Sequence, residues 1–313
     1  MWRDVWQLRQ PHRHTEHRSG IQRMKYFETQ WMRPNQEIGT LDQEEREHLD
    51  QSVRAYQKGK VIKILESFHR RQWQYFVEQT QGTAGRCQIA NRLPATWPTN
   101  PDMQIRVEHD VIDSRSRMMW QRRDDMKLRY HRQVEDLTHE FVMPYGTWQW
   151  QRQQVFEHIE QSGVLEHSRY SRPGHTMEGL KELTEQQRYD HRHNIKNLWP
   201  ISQKCHCWVV LDSWCLDDDL VSPVTEKVLY PVFYGIPFIY IGGATQRSQL
   251  TELGILPNDS MRTTARSVTE QMLYLQTIFQ DPIRSQQWQD QQGETIQHNI
   301  TRIVRFATQG VGW

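Results

Sequence analysis

Two apolar runs, separated by a helix-length segment, constrain this chain more than any other feature. Cys207-Trp208-Val209-Val210-Leu211 is continuous and of strand length, and Ile236-Pro237-Phe238-Ile239-Tyr240-Ile241 is a second such run. A strand apolar on both faces belongs in the middle of a parallel sheet that is covered on both sides. Between the runs, Pro223 stands where a first-turn proline is tolerated, Thr225 to Tyr234 reads as a helix, and Gly235 supplies its left-handed end. Strand, loop, helix and strand in that order make a right-handed βαβ unit. Ligands of open α/β sheets gather beyond the carboxyl ends of the strands, and Asp212, Ser213, Gly242 and Gly243 all fall there.

The flanking sequence extends the α/β pattern. Phe141-Val142-Met143 reads as a short buried strand and Pro144-Tyr145-Gly146 as a turn. Gln151 to Gln161 reads as a helix with Val155, Phe156 and Ile159 on one face, closed by Ser162-Gly163. Met177 to Arg192 is expected to form a second polar helix. Further on come a short helix over Arg247 to Leu253, a reversal at Gly254 to Pro257, and closing helices over Val268 to Phe279 and Gln286 to Phe306. Before Asn100 the pattern is mostly polar, with a helix at Glu44 to Tyr56 and a strand at Val61 to Leu65. Pro94, Pro98 and Pro101 bar regular structure around them, and Arg115 to Tyr130 reads as a charged surface helix or connector. The expected organisation is an N-terminal α/β domain over residues 1–135 and a Rossmann-like, parallel-sheet domain over residues 136–313.

At 313 residues the chain is long enough for two domains. Its 39 basic and 38 acidic residues nearly balance, so it offers no long-range field for nucleic acid or anionic membrane, and any anion site must be local. The first 33 residues carry seven Lys or Arg, three His and three acids, a composition suited to a solvated basic arm. Four cysteines are too few for a disulfide framework in a chain of this length. No run approaches a membrane span or the apolar core of a signal peptide, and the expected home is a cytoplasm. Gly-x-Gly-x-x-Gly and Walker-type loops, the usual marks of nicotinamide and P-loop chemistry, are absent from the sequence.

Thr225-Glu226-Lys227 concentrates the chemistry. It opens a helix directly after the loop that leaves the first strand, where a hydroxyl, a carboxylate, an ammonium group and free backbone N–H groups converge. A diphosphate and a sugar suit that mixture: the lysine pairs with phosphate, the helix terminus adds amide donors, and the glutamate accepts from sugar hydroxyls. An ordinary helix start with a surface Glu-Lys pair is the plainer account of the same three residues.

The ordered series Leu211-Asp212-Ser213, Thr225-Glu226-Lys227, Tyr234-Gly235-Ile236-Pro237-Phe238-Ile239 and Gly242-Gly243 resembles the donor-binding motif of the α-1,3-fucosyltransferases and of fucosyltransferase-like proteins from phages, giant viruses and bacteria. Phe141 to Tyr170 resembles the strand and helix of that family whose early arginine reaches the donor pyrophosphate, with Arg152 at that position. Leu253-Gly254-Ile255 and His298-Asn299 resemble its closing segments, so the likeness covers about half the chain. The resemblance implies two facing α/β domains of the GT-B type, the N-terminal one on the acceptor side. It implies a nucleotide-sugar donor, GDP-sugar favoured and fucose the plausible sugar, and inverting transfer to a glycan or other hydroxyl acceptor with no cofactor or metal required. Donor contacts then fall to Arg152, Asp212, Ser213, Thr225, Glu226, Lys227, Gly242 and Gly243. Glu66, after the strand at Val61 to Leu65, is the one candidate for general base.

The chain also departs from that pattern. Asp212 stands where the family usually has glutamate, the asparagine before the serine is missing, and Tyr145-Gly146-Thr147-Trp148 replaces a stretch richer in Asn and Arg. A relative that keeps the fold as a binding or virus-associated structural protein without catalysis is therefore the alternative. Asp217-Asp218-Asp219 offers a rival metal-assisted route, and Cys205, His206, Cys207 and Cys215 a zinc site without a second spaced pair.

Overall fold

The computed structural model describes residues 26–29, 31, 41–64, 66–121, 133–145, 149–172, 176–180, 191–213, 215–216, 219–257 and 261–309. The protein is α/β, built on two four-stranded parallel sheets. The proposed basic arm lies outside the described residues up to Lys25.

The first sheet runs β1 (Tyr26–Thr29), β2 (Val61–Ile64), β4 (Gly85–Ile89), β5 (Met103–Val107). The helices α1 (Gln43–Gln57) and α2 (Arg70–Thr80) share one core with the inward residues Ile62, Ile64, Cys87 and Ile89. Helix α1 starts where its sequence dictates. Asp42 Oδ1 accepts from Glu45 N at 2.7 Å and Glu45 Oε2 accepts from Asp42 N at 3.1 Å, a reciprocal cap of about 1 kcal/mol. The opposite face carries Arg86, Gln104 and Arg106, all exposed. Trp31, Trp73, Phe68 and Phe76 supply the bulk of this core, their ring centroids 5.0 to 6.2 Å apart.

The second sheet runs β10 (Phe238–Ile241), β8 (Cys205–Leu211), β6 (His139–Pro144), β7 (Arg169–Ser171). Every residue of β8 is buried, as its unbroken apolar run requires. One face packs on α4 (Trp150–Gln161) and α8 (Ala265–Phe279), with Val155, Phe156, Ile159, Met272 and Leu275 facing inward. The other face packs on α5 (His191–Ser202), α6 (Leu229–Tyr234) and α9 (Pro282–Gln309), through Leu198, Tyr234, Ile303 and Phe306. Helix α7 (Ala244–Leu253) adds Leu250 and Leu253 to that layer and ends at Gly254 with φ +65°.

Two expectations about helices meet different outcomes. Of the polar helix expected over residues 177–192, residues 181–190 lie outside the described residues; residues 177–180 make a turn at Gly179, whose φ of +84° lies in the left-handed region, Met177 is buried, and residues 191 and 192 belong to α5. The charged surface helix or connector expected at 115–130 is helical as far as Gln121, within α3 (Asp110–Gln121), which turns Ile112 and Met119 into the core of the second sheet; residues 122–130 lie outside the described residues. Ile112 and Met119 are seven apart, two helical turns, and so share a face.

A small antiparallel pair, β3 (Phe68–His69) with β9 (Leu220–Val221), joins the two halves. Val221 is buried in the core of the first sheet, so a piece of the later chain completes the earlier core.

Candidate functional site

The carboxyl ends of β6, β8 and β10 lie side by side, and the chain after each strand supplies the candidate residues. Beyond β8 stands Asp212, with no exposed surface and with both carboxylate oxygens engaged inside the protein. Oδ1 accepts from Ser213 N and from Thr225 Oγ1, each at 2.7 Å. Oδ2 accepts from Tyr240 Oη at 2.8 Å and from Thr225 N at 3.4 Å. Asp212 thus holds Ser213, Thr225 and Tyr240 in place.

Beyond β10, Gly242 is glycine for a steric reason. A Cβ there would lie 2.5 Å from Tyr240 Oη, so any side chain would displace the ring that reaches Asp212. Gly243 opens α7, and Gln246 Oε1 accepts from its N–H at 2.9 Å. Gln246 Nε2 donates to Ser213 O at 2.8 Å and to Pro223 O at 3.2 Å, tying α7 to the loops after β8 and before Thr225.

Helix α4 starts behind the end of β6, capped by Gln149, whose Oε1 accepts from Arg152 N at 2.9 Å. Arg152 is 3% exposed. Its Nε donates to the backbone oxygen of Asp212 at 3.3 Å, and Nη2 donates to Ser213 Oγ. Both partners are neutral, and among the described residues no carboxylate forms an ion pair with the guanidinium. Burial pushes its pKa down from the ordinary value of 12.5, against the opposing field of the nearby Asp212. Gln149 Nε2, also buried, has no hydrogen-bond partner among the described residues. Among the described residues, the start of α4 thus presents a buried guanidinium on neutral acceptors beside an amide donor without a partner, a pairing that an anion would complete.

Thr225 precedes a single 3-10 turn, Glu226–Val228, which runs into α6 and ends at Gly235 with φ +65°. Its hydroxyl bonds Asp212 instead of capping the turn. Lys227 Nζ lies 3.3 Å from Thr225 Oγ1 and 3.4 Å from Glu226 Oε1, long contacts for a partly exposed ammonium group.

Arg152, Asp212, Ser213, Thr225 and Lys227 are thus linked by hydrogen bonds, with Glu226, Gly242 and Gly243 attached through Lys227, Tyr240 and Gln246. Glu66 sits apart, exposed after β2, on the other half of the molecule. Its neighbour Ser67 meets Ser222 across the seam, Oγ to Oγ at 2.7 Å. Asp217 and Asp218 lie outside the described residues, and Asp219 pairs with Arg70 at 3.9 Å. Cys205 packs on one face of the second sheet and Cys207 and Cys215 on the other, so the three thiols do not converge. Among the described residues no helix is long and apolar enough to cross a membrane.

Four residues escaped the sequence reading: Gln149, Tyr240 and Gln246 of this network, and Gln249, whose Oε1 accepts from Val224 N at 2.6 Å next to Thr225. The glutamines look like surface residues in sequence, yet Gln246 and Gln249 are 0% and 1% exposed. Their spacing of three, in line with Leu250 and Leu253, was the available sign that they share the inner face of α7.

No family model, curated protein or solved structure matches this chain.

Proposed function

We propose that this protein is a glycosyltransferase of the two-domain GT-B kind, similar to the α-1,3-fucosyltransferase-like proteins, taking a nucleotide-diphosphate sugar at the carboxyl edge of the second sheet. The observation that carries the reading is the buried cation and donor at the start of α4: Arg152 against neutral acceptors, and Gln149 Nε2 without a partner among the described residues. A diphosphate supplies the missing negative charge, and Lys227, across Ser213 and Thr225, supplies a second cation on the same edge.

In this reaction the acceptor oxygen bonds to the anomeric carbon as the carbon–oxygen bond to the diphosphate breaks, with inversion. The acceptor hydroxyl proton passes to a carboxylate, for which Glu66 is the candidate on the facing half. The negative charge that develops on the leaving diphosphate falls to Arg152, Lys227 and the amide end of α4, so no metal is required in this scheme.

Calorimetric titration with GDP, GDP-fucose, UDP and UDP-sugars, on the wild type and on Arg152→Ala and Lys227→Ala, tests the donor site. Selective GDP binding that both substitutions abolish supports it, and no binding of any nucleotide by the wild type rules it out. GDP binding without transfer to any hydroxyl acceptor, unchanged in Glu66→Gln, would instead support the non-catalytic alternative, which the exposure of Glu66 favours.

A further inference from the structure

The segment that leads into Thr225 is held from both halves of the molecule. Ser222 O accepts from Asn91 Nδ2 at 2.7 Å, and Ser222 N donates to Thr245 Oγ1 at 3.2 Å. Two residues later, Val224 N donates to Gln249 Oε1 at 2.6 Å. Gln249 then spends both of its own N–H bonds on the first half, Nε2 lying 3.0 Å from Ala90 O, at the end of β4, and 3.0 Å from His109 Nδ1, just past β5.

The amide orientation follows from these partners. Turning Gln249 over would set its N–H group against the N–H of Val224 and its oxygen against the carbonyl of Ala90, two repulsions in a site that is 1% exposed. With Nε2 facing His109, Nδ1 must accept, so the imidazole carries its proton on Nε2. Every polar atom of the Gln249 side chain is thereby committed, to the backbone at Val224 and Ala90 and to the ring of His109.

We propose that Gln249 is a positioning residue that couples the strand ends of the first half to the Thr225–Lys227 segment, so that the donor contacts are set by both halves together. This rests on reading that segment as the donor site. Asn91 and the β3–β9 pair fix Leu220 to Ser222 from the first half, but among the described residues Gln249 alone bonds the backbone next to Thr225 while also bonding Ala90 O after β4 and the His109 ring after β5. A shift of the first half at Ala90 or His109 therefore reaches Val224 through one rigid amide.

Hydrogen–deuterium exchange over residues 223–228 tests the coupling without any ligand. His109→Ala, which removes a half-buried ring and one acceptor, is expected to speed exchange there about tenfold, the effect of one lost buried hydrogen bond. Gln249→Met, which keeps most of the volume and none of the hydrogen bonds, is expected to do at least as much, and the double variant no more than Gln249→Met alone. Unchanged exchange in His109→Ala, or effects that add independently, would overturn the coupling. If Gln249→Met does not fold, His109→Ala decides alone. Titration with GDP reads the donor side separately: about tenfold weaker binding by Gln249→Met is expected, and undiminished affinity would overturn the positioning role. A wild type that binds no GDP would sink the donor reading, leaving the coupling to be judged on exchange.

Discussion

Tyr240 donates its hydroxyl to Asp212 Oδ2 at 2.8 Å, and the same ring fills the space that a side chain on residue 242 would need. One aromatic residue thus explains both a glycine and a buried carboxylate. Gly242→Ala is expected to cost about 1–3 kcal/mol, because its Cβ would come within 2.5–2.7 Å of Oη, Cε1 and Cζ of Tyr240. Combining it with Tyr240→Phe should not relieve the strain, since the ring carbons stay. Urea denaturation of the single and double variants measures both effects, and full rescue by phenylalanine would show that the clash is with the hydroxyl alone.

Tyr240→Phe by itself leaves Asp212 Oδ2 short of its strongest donor in a site closed to water. A loss of about 1–3 kcal/mol is expected from the denaturation midpoint, against a few tenths for phenylalanine in place of an exposed tyrosine such as Tyr274.

Arg152 and Lys227 should separate stability from anion binding. Lys227 is partly exposed and its contacts are long, so Lys227→Ala is expected to shift the melting temperature little while weakening diphosphate affinity. Arg152→Ala removes bonds to Asp212 O and Ser213 Oγ from a buried site and should lower both. Arg152→Lys is not expected to restore either, because an ammonium group cannot span two acceptors as the guanidinium does.

Acid should loosen the seam at β3. Burial, reinforced by the adjacent Arg71, pushes the His69 imidazole from 6.5 down to about 4. The folded protein therefore resists a proton that the unfolded chain accepts. Stability from this residue is intact above about pH 6.5, falls as the pH drops, and is fully lost near pH 4, on the order of 3 kcal/mol in all. Melting curves of wild type and His69→Asn between pH 7 and pH 4 check this; the variant should lack that part of the slope.

The second sheet was legible because β8 and β10 are buried on both faces and so write themselves as unbroken apolar runs. The glycines at 235, 242 and 254 marked where helices end and where Tyr240 passes. The first sheet was mostly illegible for the opposite reason. In β4 and β5 the outward positions hold Arg86, Gln88, Gln104 and Arg106, and with five residues each these strands look like loop. The candidate site was legible where it carries charge, at Arg152 and Thr225 to Lys227. It was hidden where side-chain amides stand in for backbone partners, as Gln246 and Gln249 do, because nothing in a glutamine reveals which side of the surface it will occupy.

The pairing of Phe68 with Val221 closes a loop of about 150 residues, far longer than any other strand contact in the first half. Such contacts are slow to form because the chain entropy must be lost before the pairing repays it. During synthesis the first sheet emerges early, yet its core lacks Val221 until most of the second sheet has been made. Docking of β9 into the first half is therefore expected late in assembly, and it completes a core that the earlier residues leave unfilled.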